Sequence, residues 1–159
     1  MTVYSRILVP LEHSPYDRAI LAHVRPLARL CGASLVLLHV ADGWAARHLA
    51  HLALQESDEM RRDREYLERT CAELVADGLD AEAVLGRGDP AGEIIAAAQR
   101  ERCDLIAMAT HGHRFLADLV YGSVAESVRH RCGIPVLLVR GERRARPRDA
   151  QPGNTHQPA

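Results

Sequence analysis

The residues best placed to do chemistry lie in one run, Ala109-Thr110-His111-Gly112-His113-Arg114-Phe115-Leu116-Ala117-Asp118-Leu119-Val120-Tyr121-Gly122-Ser123-Val124-Ala125-Glu126. It leaves a short apolar segment, crosses a glycine-containing loop and enters a helical pattern near Gly122-Ser123. Small residues let a backbone approach an anion closely. A helix start adds free N–H groups, a positive dipole end and, here, the Ser123 hydroxyl. The chemistry this suits is phosphate binding. Arg114 is within reach of a phosphate tail in such a loop, although an exposed arginine is the commoner outcome. His13, beside Glu12, poses the same choice between a phosphate contact and a solvated histidine at a helix start.

Other candidates read as ordinary structure. Gly86-Arg87-Gly88-Asp89-Pro90-Ala91 matches the G-x-G-x-x-A string of dinucleotide sites, but that turn belongs to the first strand–helix unit and this one follows the third strand. Asp89 would also set a carboxylate where phosphates should sit, so the segment reads as a turn with Asp89 as N-cap and Pro90 at N1. His111-x-His113 and His48-x-x-His51 lack an acidic or cysteine partner at ligand spacing, which argues against zinc. No G-x-S-x-G elbow surrounds Ser123, which is therefore a phosphate donor rather than a nucleophile. All twenty basic residues are arginine. The missing lysine excludes a Walker P-loop and Schiff-base chemistry, and with Gly86 ending the third strand it excludes a phospho-acceptor receiver as well.

Five short apolar runs must position these residues: Ile7–Leu11, Leu35–Val40, Ala81–Leu85, Leu105–Ala109 and Val136–Val139. Most are continuously apolar, as strands covered on both faces are. Helical patterns separate them. The first opens at Ser14-Pro15, carries Ile20, Val24, Leu27 and Cys31 inward, contains Pro26 and stops at Gly32. The second covers Glu56 to Asp77 with Met60, Leu67, Cys71, Leu74 and Val75 on one face, and Gly78 after it. The third starts at Asp89-Pro90, and the fourth runs from Gly122-Ser123 to Arg131. The alternation predicts an α/β domain with an open, doubly wound parallel sheet and helices on both faces. In such a sheet ligands bind beyond the strand C-termini, so the loops after strands one and four flank the natural crevice.

The 159 residues suffice for one domain with a real core. A net charge of −1 supplies no field to draw the chain onto nucleic acid or a membrane surface. Cys31, Cys71, Cys103 and Cys132 are scattered and read as buried free thiols, and no apolar stretch is long enough for a signal peptide or a membrane span. These features predict a cytoplasmic protein. Residues 41–55 read as an extended connection, and residues 141–159, with four arginines and three prolines, as a disordered tail beyond a domain of residues 1–140.

The chain resembles the universal stress protein family. Arg6-Ile7-Leu8-Val9-Pro10, Leu37-Leu38-His39-Val40, Gly88-Asp89-Pro90-Ala91, Thr110-His111-Gly112, Gly122-Ser123-Val124-Ala125-Glu126 and Ile134-Pro135-Val136-Leu137-Leu138-Val139-Arg140 carry the resemblance, over residues 4–140. It implies a five-stranded sheet of order 3-2-1-4-5, dimerisation through the Val136–Val139 strand and, in many members, an ATP site. The nucleotide-binding subgroup carries G-x-x-G, nine residues, then G-[S/T]. Gly112 and Gly122-Ser123 fit that pattern, whereas Ala109 stands at the first glycine and Glu12 where aspartate is usual.

Carried onto this chain, the resemblance places adenine near Val40, with Pro10, Leu11 and Glu12 at the first strand's end. Ala109, Thr110, His111 and Gly112 follow the fourth strand, continued by His113 and Arg114, and the phosphates meet Gly112, Gly122, Ser123 and Val124. The implied ligand is ATP, ADP or AMP, with Mg2+ accompanying the polyphosphate. With no positioned base for water, any hydrolysis is slow. The implied role is a cytoplasmic stress-response regulator with a client protein the sequence does not name. The alternative, favoured by Ala109 and Glu12, is a nucleotide-independent dimeric interaction module of the same fold.

Overall fold

Strand and helix alternate in a computed structural model that describes residues 2–42, 58–111 and 119–141. The order is β1 (Arg6–Pro10), α1 (Asp17–Cys31), β2 (Ser34–Asp42), α2 (Asp58–Ala76), β3 (Ala81–Gly88), α3 (Pro90–Arg100), β4 (Leu105–His111), α4 (Leu119–Arg131) and β5 (Val136–Gly141). All neighbouring strands pair in parallel, in the order β3-β2-β1-β4-β5. The doubly wound sheet and its order therefore stand as expected.

Continuous apolar runs make strands here because both faces of the sheet are covered. Ile7, Leu8 and Val9 of β1 and Leu35 through Leu38 of β2 are completely buried. Successive side chains alternate between two cores. Ile7, Val9, Leu35, Leu37 and Ala107 meet Ile20, Val24, Leu67 and Leu74 of α1 and α2. Leu8, Val36, Leu38, Ile106 and Met108 meet Ile94, Ala97, Ala98, Val124 and Val128 of α3 and α4.

Glycine ends two helices as its freedom at positive φ allows. Gly32 (φ +64°) turns the chain so that the Ala33 N–H donates to the Ala28 carbonyl at 2.9 Å. Gly78 (φ +81°) does the same for Leu79 and Leu74 at 3.0 Å.

Several boundaries differ from the sequence reading. Helix α1 begins at Asp17 behind Tyr16, which provides no side-chain cap, so Ser14-Pro15 lies outside it. The Ser14 hydroxyl instead accepts from the Tyr16 N–H at 3.3 Å. Helix α2 ends at Ala76 rather than Asp77, its expected start at Glu56 lies outside the described residues, and only Leu67 and Leu74 of its expected stripe are fully buried; Val75 is 52% exposed. Helix α4 starts at Leu119, so Gly122-Ser123 sits one turn inside it, because Leu119, Val120 and Tyr121 continue a helix readily. Strands β2 to β5 all run past their apolar segments. Backbone pairing continues there, as Ala41 with Arg87 and Thr110 with Arg140, since a solvated rim needs no apolar side chains. Thr110 and His111 are thus strand residues rather than loop, and Gly141 closes β5 rather than opening a tail. The four cysteines are free, but only Cys103 is buried, which pushes its thiol up to about 11.

Candidate functional site

Strand β1 pairs with β2 over five positions but with β4 over only two, Ile7 with Leu105 and Leu8 with Ile106. Beyond them the two strands part. The sheet opens where its winding direction reverses, the place at which such sheets bind ligands. A cavity of about 230 Å3 occupies this opening. Its walls are Pro10 ending β1, Leu11 and Glu12 after it, Leu38, His39 and Val40 of β2, and Met108 and Ala109 of β4. Asp89 at the cap of α3, Pro90 and Ile94 within it, and Ser123 and Val124 of α4 close the other side.

Seven of the expected site residues therefore share one cavity: Pro10, Leu11, Glu12, Val40, Ala109, Ser123 and Val124. Thr110 and His111 end β4 just above it, and Gly122 precedes Ser123 in α4. Gly112, His113 and Arg114 lie outside the described residues. Sequence reasoning missed Leu38, Met108 and Ile94, although Leu38 shares a strand face with Val40 and was within reach of a period-two argument. It also dismissed Asp89-Pro90. The cap is as expected, with Asp89 Oδ2 accepting from the Gly92 N–H at 2.8 Å and Pro90 at the first helical position. Gly86 and Gly88, however, belong to β3, and the capping carboxylate stands on the cavity rim.

The loop carrying Glu12 is held by a carboxylate that sequence reasoning overlooked. Asp17 is 2% exposed. Its oxygens accept from the backbone N–H groups of Glu12 (3.0 Å), His13 (2.9 Å) and Ser14 (3.2 Å), and from the Tyr66 hydroxyl (2.9 Å). A buried carboxylate needs such donors, and four satisfy it. Burial, and next the Asp17 charge, push the Tyr66 hydroxyl above the ordinary tyrosine range. The Ser14 hydroxyl donates to Glu12 Oε2 at 3.3 Å, tying the side chain to the same turn.

The wall is apolar along Leu38, Val40, Met108, Pro90 and Ile94, and carries two carboxylates, Glu12 and Asp89. Such a slot takes a flat apolar ring, and a carboxylate at its edge accepts from hydroxyl donors. Among the described residues no three of His, Cys, Asp and Glu gather as a metal site would need. His13, read from sequence as phosphate-contacting or solvated, is exposed and also meets Asp63 of α2, with Nδ1 2.6 Å from Oδ1.

Comparison with known proteins agrees with this architecture. The model of the Universal stress protein family matches residues 3–140. Universal stress protein MJ0577 of Methanocaldococcus jannaschii is 28% identical over 87% of this chain and 96% of its own length. Its solved structure superimposes with a TM-score of 0.76, covering 89% of this chain and 99% of that one. A universal stress protein of Thermus aquaticus, encoded beside a QAH/OAS sulfhydrylase, is 31% identical over 87% of this chain and all of its own. The universal stress protein of Archaeoglobus fulgidus solved in complex with dAMP shares the fold, with a TM-score of 0.63, 20% identity and coverage of 87% and 99%.

Proposed function

Because the chain belongs to the universal stress protein family, whose members are stress-response proteins, we propose that it is a cytoplasmic regulator that binds an adenine nucleotide in the β1–β4 crevice. The observation that carries this reading is the cavity itself, an apolar slot edged by Glu12 and by Ser123 of α4. Adenine lies against Val40 and Leu38, and Glu12 accepts from ribose hydroxyls. The phosphates run toward Gly122-Ser123 and the start of α4, where the dipole favours them. The dAMP-bound relative supports the ligand class. ATP suits the nucleoside half of this site, and Mg2+ accompanying it would be held by phosphate oxygens together with waters. The role is regulatory, with hydrolysis slow at most.

We further read residues 1–140 as the working domain and the Val136–Val139 strand as a homodimer interface; the expected tail beyond Gly141 lies outside the described residues. Strand β5 is the sheet's edge, and Leu138 on it is 41% exposed. Pairing about a two-fold axis covers such an edge. A second reading, a nucleotide-independent dimeric module, is favoured by the two carboxylates on a described wall that holds no arginine.

Calorimetric titration of ATP separates the two. The unmodified chain binds and Gly122→Val does not, while valine's better helix propensity keeps α4 intact. Equal affinity in both proteins removes this site. Sedimentation tests the interface: a 17.5 kDa monomer at micromolar concentration overturns the dimer, and Leu138→Glu splits one that exists.

A further inference from the structure

Helix α2 grips the crevice loop through a cluster that the nucleotide reading does not use. Asp63 and Tyr66 stand one turn apart on α2 and face the same way as the buried Leu67, Thr70 and Leu74. The Asp63 carboxylate lies between two histidines. His13 Nδ1 is 2.6 Å from Oδ1, and His39 Nε2 is 3.2 Å from Oδ2. His39 is buried, and its Nδ1 donates at 2.9 Å to the carbonyl of Leu11, one residue before Glu12. His13 stacks on the Tyr66 ring, centroids 4.2 Å apart and 13° from parallel, with its backbone held at φ +60°. A non-glycine residue keeps that conformation only where its surroundings impose it.

The proton count follows from the acceptors. A carbonyl and a carboxylate both accept, so His39 serves both neighbours only when both ring nitrogens carry protons. Loss of one proton leaves either the Leu11 carbonyl or Asp63 without its donor. We propose that Asp63 is the positioning residue of the crevice, a proton-dependent latch that acts through His39 and His13 to hold Leu11–Ser14, and so Glu12, in the ligand-competent position. The proposal rests on the crevice being a ligand site.

Other charged groups lie around the latch among the described residues. Glu12 adjoins it on the loop, Asp17 of α1 reaches it through the Tyr66 hydroxyl, and Arg64 follows Asp63 on α2. Arg87 of β3 lines a gap of about 20 Å3 together with His39 and Asp63. The latch is closed while His39 carries both ring protons and opens when one is lost at higher pH.

The test compares the full chain with Asp63→Ala, which leaves both rings without the carboxylate that their protons serve. Calorimetry with ATP at pH 6 finds the variant about tenfold weaker, and at pH 8 within about twofold, on the scale of one charged hydrogen bond. ATP's own titration cancels in the comparison. Asp63→Glu restores part of the difference. Equal loss at both pH values, or none, overturns the latch. If the unmodified chain binds no ATP, the nucleotide reading fails, and the imidazole NMR signals of His13 and His39, assigned with His13→Gln and His39→Gln, decide the latch alone. Coupled titration in the unmodified chain that separates in Asp63→Ala supports it, and identical titrations overturn it.

Discussion

The two ends of the sheet carry similar side chains put to different use. At the N-terminal end of the strands, the Asp104 carboxylate accepts from the backbone N–H groups of Ser5 at 2.7 Å and Arg6 at 3.0 Å. The Arg6 guanidinium donates to the Glu101 carbonyl at 2.8 Å and pairs with Glu82 and Glu101. Every group there finds its partner within the cluster, at a surface where ion pairs contribute little. At the C-terminal end, Asp17 makes the same kind of carboxylate-to-backbone clasp, but in a buried place and beside a cavity. The lesson is that a clasp at a rim is a fastening, whereas the same clasp beneath a loop that edges a cavity sets the shape of a site.

The largest effect that could break this contrast comes from the two clasps themselves. Asp17→Ala strands three backbone N–H groups and a phenol in a buried site and should cost about 3 kcal/mol or more. Asp104→Ala, at a wetter rim, should cost about 1 kcal/mol. Urea unfolding followed by ATP titration checks both. Asp17→Ala loses crevice binding with its stability, and Asp104→Ala keeps binding intact. Equal costs would show that the two ends are fastened alike.

A smaller effect sharpens the contrast. Tyr66 holds its proton in the folded chain to higher pH than in the unfolded one, because burial and then Asp17 oppose its ionisation. In alkali the unfolded chain therefore binds fewer protons than the folded one, and stability falls as pH rises above about 10. Tyr66→Phe lowers stability by about 1 kcal/mol near neutrality, for one lost hydrogen bond. It also flattens the alkaline decline in urea unfolding midpoints. A decline as steep as in the unmodified chain would place its cause elsewhere.

Much of the fold was legible because it rests on local rules. The continuous run of Ile7 to Val9, the glycine stops at Gly32 and Gly78, and the Asp89-Pro90 cap each announce themselves within a few residues. The crevice was legible through Glu12, Val40, Ala109 and Ser123, since strand ends in a doubly wound sheet have a known use. The clasp and the latch were not. Asp17 and Tyr66 lie 49 residues apart, and His13 and Asp63 lie 50. Hydrophobic periodicity reads the inward face of α2 from Leu67 and Leu74 and passes over the polar Asp63, Tyr66 and Thr70 on the same stripe. It assigned Val75 inward, yet that residue faces solvent by half. Ser14-Pro15 looks like a helix start until Asp17, three residues on, claims the N–H groups of the turn for itself.

The central place of β1 has a consequence for the order in which the molecule comes into being. Its partner on one side, β2, follows after a single helix, while its partner on the other, β4, begins 98 residues beyond Ile7. On a growing chain the β1–β3 half has all its own strands and both helices of one face well before Leu105 is made. The crevice has no such early existence, because its far wall consists of Met108, Ala109, Ser123 and Val124. A molecule bound there can recognise only a chain that has been synthesised to α4 and has closed the long seam. Occupancy of the crevice is thus a certificate of completion, and it adds its stabilisation to the finished fold alone.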